Sequence, residues 1–92
     1  MHRVEHSRTV KIVNEQGLHA RPCHSIVTAA LSFESDLRIR SADREVNGKS
    51  ILELMTLGVG VGAELEILTR GRDAAGLLEA ICALFSERFG EG

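Results

Sequence analysis

The chain has 92 residues, a formal net charge of −2, and 43% hydrophobic against 26% charged residues, a balance that suits one compact domain with a core of its own. It contains three Phe and no Trp or Tyr, so it offers neither the stacking platforms nor the basic footprint of a nucleic-acid binder. Its opening residues, MHRVEHSRTV, hold no apolar run suited to a secretory signal, and no segment is long and apolar enough to insert in a membrane, so a cytoplasmic location is expected.

Residues 1–7, MHRVEHS, read as a polar, flexible lead-in. RTVKIV follows, with Val10 and Ile12 alternating against Thr9 and Lys11, and predicts a half-buried strand. NEQG breaks it with turn residues. From Ala20 to about Phe33, the positions Pro22, Ile26, Ala29, Ala30 and Phe33 recur at helical spacing. SDLRIRS alternates Leu37 and Ile39 with Arg38 and Arg40, a second strand, and ADR turns into a short third strand, EVN.

In GKSILELMTLG, Ile51, Leu54, Met55 and Gly58 approximate one face of a short second helix. VGVGAELEILTRG begins as a Gly-rich connection and closes as a fourth strand, with Leu65 and Ile67 on one side. Asp73 is the expected N-cap of a last helix in which Ala74, Leu77, Leu78, Ile81, Phe85 and Arg88 repeat at helical spacing, ended by Gly90 and Gly92.

The order is therefore β-α-β-β-α-β-α over a single domain, residues 1–92. Strands that alternate apolar and polar residues have one dry face, so the helices must share that face of a mainly antiparallel sheet while the other meets water. This predicts an α+β, open-faced sandwich. Cys23 and Cys82 form no CxxC pair and read as two buried, reduced thiols.

The chemistry concentrates in GLHARPCHS, residues 17–25. His19 falls at the start of the first helix, where the leading N–H groups lack helical acceptors and the helix dipole is positive, a site that favours anions. Arg21 adds a guanidinium fork for phosphoryl oxygens. Pro22 fits a first turn that does not need its missing N–H, and it disfavours helical geometry at Arg21. A neutral imidazole in this setting keeps a lone pair for attack on phosphorus, and the helix start and Arg21 then hold the resulting anion. His19, Cys23 and His24 also invite a metal reading, but His19 at a cap does not project like a mid-helix ligand and no fourth ligand is evident, so no metal is expected.

GLHARP followed by VNGKSILELMTLG resembles the HPr family, the histidine phosphocarriers of the bacterial phosphoenolpyruvate-dependent phosphotransferase system, over about Thr9 to Phe89. The resemblance implies a four-stranded antiparallel sheet of order 1-4-2-3 with three helices on one face. It implies that His19 accepts a phosphoryl group at Nδ1 from phosphorylated enzyme I and passes it to EIIA-type proteins, with Arg21 stabilising the phosphate and Pro22 shaping the helix start. No cofactor is implied, and the protein would be a stoichiometric carrier, most useful as a monomer.

By the same resemblance Ser50 is a candidate site for an HPr kinase/phosphorylase. The residues also give it a structural reading, because Ser50 and Glu53 form an S-x-x-E capping box and Glu53 would repel a phosphate. Glu53, Cys23 and His24 depart from the small residues usual in the family. Ile51, Leu52 and Met55 put apolar groups around more than one side of a short helix and read either as core or as an exposed patch beside His19. The resemblance implies that enzyme I and EIIA-type proteins dock here, which makes Leu52 and Met55, with Ala20 and His24, the expected partner-docking positions and leaves Ile51 to either reading. A nitrogen-related or purely regulatory phosphotransfer chain is the alternative setting, and a binding module that never carries phosphate is the alternative function.

Overall fold

Alternation decides which way the sheet faces. In the computed structural model, which describes residues 5–91, the strand Asp36–Arg40 (β2) buries Leu37 and Ile39 and exposes Asp36, Arg38 and Arg40. The other strands are Glu5–Lys11 (β1), Glu45–Asn47 (β3) and Glu64–Arg70 (β4); the helices are Ala20–Ala30 (α1), Ile51–Met55 (α2) and Ala74–Ser86 (α3). The sheet order is β1-β4-β2-β3 with every neighbouring pair antiparallel. β1 and β2 both oppose β4 and so run parallel to each other, and the link between them through α1 leaves the space that β4 fills.

The three helices cover one face, as the alternation requires. Ile26 of α1, Leu54 of α2, Leu77 and Ile81 of α3, and Ile39 and Ile67 of the sheet are all fully buried between the layers. Each such side chain contributes about 1.5–3 kcal/mol relative to exposure. The opposite face is charged: Arg40 pairs with Glu45 and Glu66 at 2.9 Å each, and Arg70 Nε lies 2.9 Å from Glu5. Exposed pairs of this kind are worth about 0–1 kcal/mol each, so they mark a wetted surface rather than a second core.

Several boundaries differ from the sequence expectation. β1 begins at Glu5, inside the expected lead-in, whose residues 1–4 lie outside the described part. The strand stops at Lys11; Ile12 is buried just beyond it, its N–H donating to Ala63 O at 2.9 Å. α1 ends at Ala30, so Phe33 belongs to the following loop. Asp73 occupies the N-cap of α3 but makes no capping bond. Its carboxylate instead accepts from the N–H groups of Glu34 at 3.0 Å and Ser35 at 2.9 Å, and from the Ser35 hydroxyl, tying the α1–β2 loop to the start of α3. These donors hold the Asp73 carboxyl well below the usual range, at about 2, the Ser35 hydroxyl first among them.

α3 ends at Ser86 rather than running through Arg88. The chain then turns through Arg88 (φ 57°) and Phe89 (φ 53°), both left-handed without being glycine. Phe89 is buried and meets the Phe85 ring edge-on at 4.9 Å, which fixes the turn against α3.

Candidate functional site

His19 is held by a loop that has little freedom. Gly17 adopts φ 70°, and a Cβ there would stand 2.7 Å from both Gly60 Cα and Val59 O. Only glycine permits that approach. Leu18, buried, donates its N–H to Val59 O at 3.1 Å, so the segment before α1 is pinned to the loop before β4. Gly17 N–H donates to Asn14 O at 3.1 Å, and Asn14 Nδ2 donates back to Gly17 O at 2.8 Å.

His19 is the N-cap residue of α1, with an extended backbone and no side-chain capping bond. Its carbonyl accepts the Cys23 N–H at 3.1 Å, the first bond of the helix. The N–H groups of Ala20 and Arg21 have no acceptor within the helix, and Pro22, buried in the first turn, supplies none. Arg21 lies within the helix, so Pro22 does not force it out of helical geometry as expected.

Two residues outside the sequence reading complete the site. The tail after α3 brings Glu91 to His19, with Glu91 Oε2 2.8 Å from His19 Nε2 and Glu91 Oε1 3.0 Å from Asn14 Nδ2. The side chains of His19 and Glu91 are 33% and 19% exposed, so the pair is shielded yet open to a partner. A carboxylate only accepts, so Nε2 is the donor; in the neutral ring Nδ1 then carries the lone pair. Asn14 had been readable only as part of a turn. Glu91 follows a glycine 72 residues from His19, and no local pattern joins the two.

His19, Ala20 and Arg21 line one open cleft together with Asn14, Arg88 and Glu91. Arg21 is exposed. Cys23 is fully buried with its sulfur 4.0 Å from Leu18 O, and burial pushes its thiol up to about 11. It is a core residue. His24 is exposed one turn from Thr28, its Nε2 3.5 Å from the hydroxyl. Among the described residues no three His, Cys, Asp or Glu side chains are grouped to hold a metal.

Ser50 is the N-cap of α2 and accepts the Glu53 N–H at 3.2 Å. The Glu53 carboxylate completes the box differently from expectation, accepting from Asn47 N–H at 3.0 Å rather than from Ser50. In α2, Leu52 is 77% and Met55 47% exposed, Ile51 is half-buried against the core, and Leu54 is fully buried. α2 packs beside α1.

Comparison with known proteins gives concordant results. A family model described as "PTS HPr component phosphorylation site" matches residues 6–87. The phosphocarrier protein HPr of Treponema pallidum is 40% identical over 84 residues, covering 91% of this chain and 96% of the relative. The protein of the same name from Neisseria meningitidis serogroup A is 38% identical over 85 residues, covering 92% and 96%. Among solved structures, HPr-C-His from Thermoanaerobacter tengcongensis superposes with a TM-score of 0.90 at 34% identity, covering 95% of this chain and 98% of the other. HPr from Bacillus anthracis gives 0.84 at 35% identity, covering 89% and 98%.

Proposed function

The chain belongs to the HPr family of phosphotransferase-system phosphocarriers, and from that premise we propose that His19 takes a phosphoryl group at Nδ1 from phosphorylated enzyme I and hands it to an EIIA-type protein. The observation that carries this reading is the 2.8 Å contact of His19 Nε2 with Glu91 at the uncapped start of α1. It occupies one ring nitrogen with a proton acceptor and leaves the lone pair on the other.

The lone pair of Nδ1 attacks phosphorus. The new N–P bond forms as the bond to the donor protein breaks, and that bonding pair leaves with the donor. His19 becomes an N-phosphorylated imidazolium that keeps its Nε2 proton, and the Glu91 carboxylate offsets the ring charge. The phosphoryl oxygens are served by the N–H groups of Ala20 and Arg21 and by the Arg21 guanidinium. Delivery reverses these steps toward the acceptor. Most of the acceleration comes from the partners, so the protein acts as a stoichiometric carrier.

Leu52 and Met55, exposed on α2, with Ala20, His24 and the half-buried Ile51, form the docking face for both partners in this reading. Ser50 is its regulatory position, phosphorylated by an HPr kinase/phosphorylase, with the Glu53 carboxylate opposing that modification. The carrier works in the cytoplasm as a monomer of one domain, with sugar transport favoured over a nitrogen-related chain by the intact VNGKS.

Incubation with enzyme I, magnesium and phosphoenolpyruvate, followed by intact mass and peptide mapping at neutral pH, tests the proposal. One acid-labile phosphoryl group on the His19 peptide is expected. A folded sample that gains no mass beside an active cognate enzyme I would overturn it.

A further inference from the structure

Asn14 lines the cleft of His19 and is itself buried, only 4% exposed. Its amide nitrogen donates twice, to Gly17 O at 2.8 Å and to Glu91 Oε1 at 3.0 Å. Its amide oxygen, Oδ1, is buried with no hydrogen-bond partner among the described residues. Turning the amide over would not relieve it, because the oxygen would then face a carbonyl and a carboxylate, and both only accept. Chemistry therefore fixes the orientation, and the unmet acceptor follows from it. A buried acceptor without a donor lowers stability, and an apolar side chain at this position would avoid that loss.

What only the amide provides is two donors on one nitrogen, joining pieces of chain that lie far apart. Gly17 O belongs to the loop that leads into His19, whereas Glu91 arrives from 77 residues away. With Oε1 held by Asn14, Oε2 is the oxygen left to meet His19 Nε2 at 2.8 Å. An untethered glutamate would lose rotamer freedom each time it made that contact; the tether has already restricted it.

We propose that Asn14 is a positioning residue for phosphoryl transfer that acts through Glu91, holding the carboxylate where it keeps the His19 proton on Nε2 and the lone pair on Nδ1. Its role rests on the reading of His19 as the phosphoryl acceptor. Asn14, Glu91 and His19 then form one directed chain, in which a third group orients the partner of the nucleophile.

A double-mutant cycle separates this role from a structural one. Asn14→Ala should slow phosphorylation by enzyme I and phosphoenolpyruvate on the order of fivefold, because the freed carboxylate meets the ring only part of the time. In a Glu91→Ala background the same substitution should change the rate by less than about twofold, since nothing remains for the amide to hold. Asn14→Asp, which keeps the outline of the side chain but sets oxygens against two acceptors, should slow transfer at least as much as Asn14→Ala.

Equal slowing by Asn14→Ala in both backgrounds, or none in either, beside a parent chain that is phosphorylated normally, would overturn the inference and leave the carrier reading standing. The solvent exchange of the His19 Nε2 proton, followed by ¹⁵N NMR on the unphosphorylated proteins, supplies a readout that needs no enzyme I. Faster exchange in Asn14→Ala than in the parent supports the tether even in a chain that enzyme I does not phosphorylate. Equal exchange, with no phosphorylation of either protein, removes both readings.

Discussion

Nε2 of His19 and Oε2 of Glu91 stand 2.8 Å apart although 72 residues separate them in the chain. The contact is built from both ends. On one side, Gly17 and Leu18 pin the loop before α1 against Val59 and Gly60. On the other, Phe89 anchors the tail to Phe85, and beyond the left-handed turn at Arg88 and Phe89 the chain brings Glu91 to His19. Asn14 then joins the two by donating to Gly17 O and Glu91 Oε1.

Removing the carboxylate should therefore affect transfer more than folding. Glu91→Ala is expected to slow phosphorylation by enzyme I on the order of tenfold, through loss of one charge-assisted hydrogen bond to the ring. Glu91→Gln keeps an accepting oxygen and should recover part of the rate. Rapid-quench measurement of the phosphoprotein, beside thermal melts of each variant, checks this; equal rates in all three proteins would remove Glu91 from the mechanism.

The Gly17 loop makes a prediction about folding. Gly17→Ala forces a Cβ to within 2.7 Å of backbone atoms in the facing loop, at a φ of 70° that alanine adopts poorly. A loss of roughly 1–3 kcal/mol is expected from the backbone strain, read from urea unfolding, and the His19 signals should move with it. Alanine tolerated without loss would mean that the two loops part easily.

α2 offers a contrast within a single turn of helix. Leu52 is 77% exposed and Leu54 fully buried. Leu54→Ala should cost about 2–5 kcal/mol as a cavity in the core. Leu52→Ala should stay within about 0.5 kcal/mol of the parent and weaken enzyme I binding in calorimetry. Full affinity in Leu52→Ala would take that residue out of the docking face.

Acid should expose the role of Asp73. Its folded pKa of about 2 lies below the roughly 3.9 of an unfolded aspartate. The group therefore contributes stability that is fully present above the unfolded value and is lost as pH falls from about 5 toward 2. Asp73→Asn should lower stability at neutral pH and flatten the acid limb of a stability–pH curve. An acid limb of unchanged slope would place the acid sensitivity elsewhere.

The strands and helices that carry a strong period were legible in the sequence. Leu37 and Ile39 against Arg38 and Arg40 gave β2 its faces, and the Leu77, Ile81, Phe85 stripe gave α3 its buried side. β1 was half hidden because it is an edge strand whose helix-facing positions include His6 and Arg8, opposite Thr69 and Ile67. Arg8 is stabilised there by Glu79 of α3 at 2.6 Å, a partner 71 residues away. Asp73 stands at the N-cap of α3 as its place in the sequence predicts, but its carboxylate serves the distant donors of the α1–β2 loop rather than the first turn, a tertiary contact that no local pattern shows.

At the site, His19, Ala20, Arg21 and Pro22 could be placed from their spacing, since all four belong to one helix start. Asn14 and Glu91 could not. Their link to His19 is tertiary, and Arg88 even continues the apparent period of α3 while the backbone has already turned away. The strand order came from family resemblance rather than periodicity, which is blind to which strands are neighbours.

The most direct test of the account is to ask which ring nitrogen takes the phosphoryl group. Chain labelled with ¹⁵N in its histidine rings, phosphorylated by enzyme I and phosphoenolpyruvate and kept at neutral pH, allows the phosphorus-coupled nitrogen to be assigned by NMR. Coupling to Nδ1 of His19, with Nε2 still protonated, is the predicted result. Coupling to Nε2, or to any other histidine, would contradict the arrangement in which Glu91 holds one nitrogen so that the other can carry phosphate.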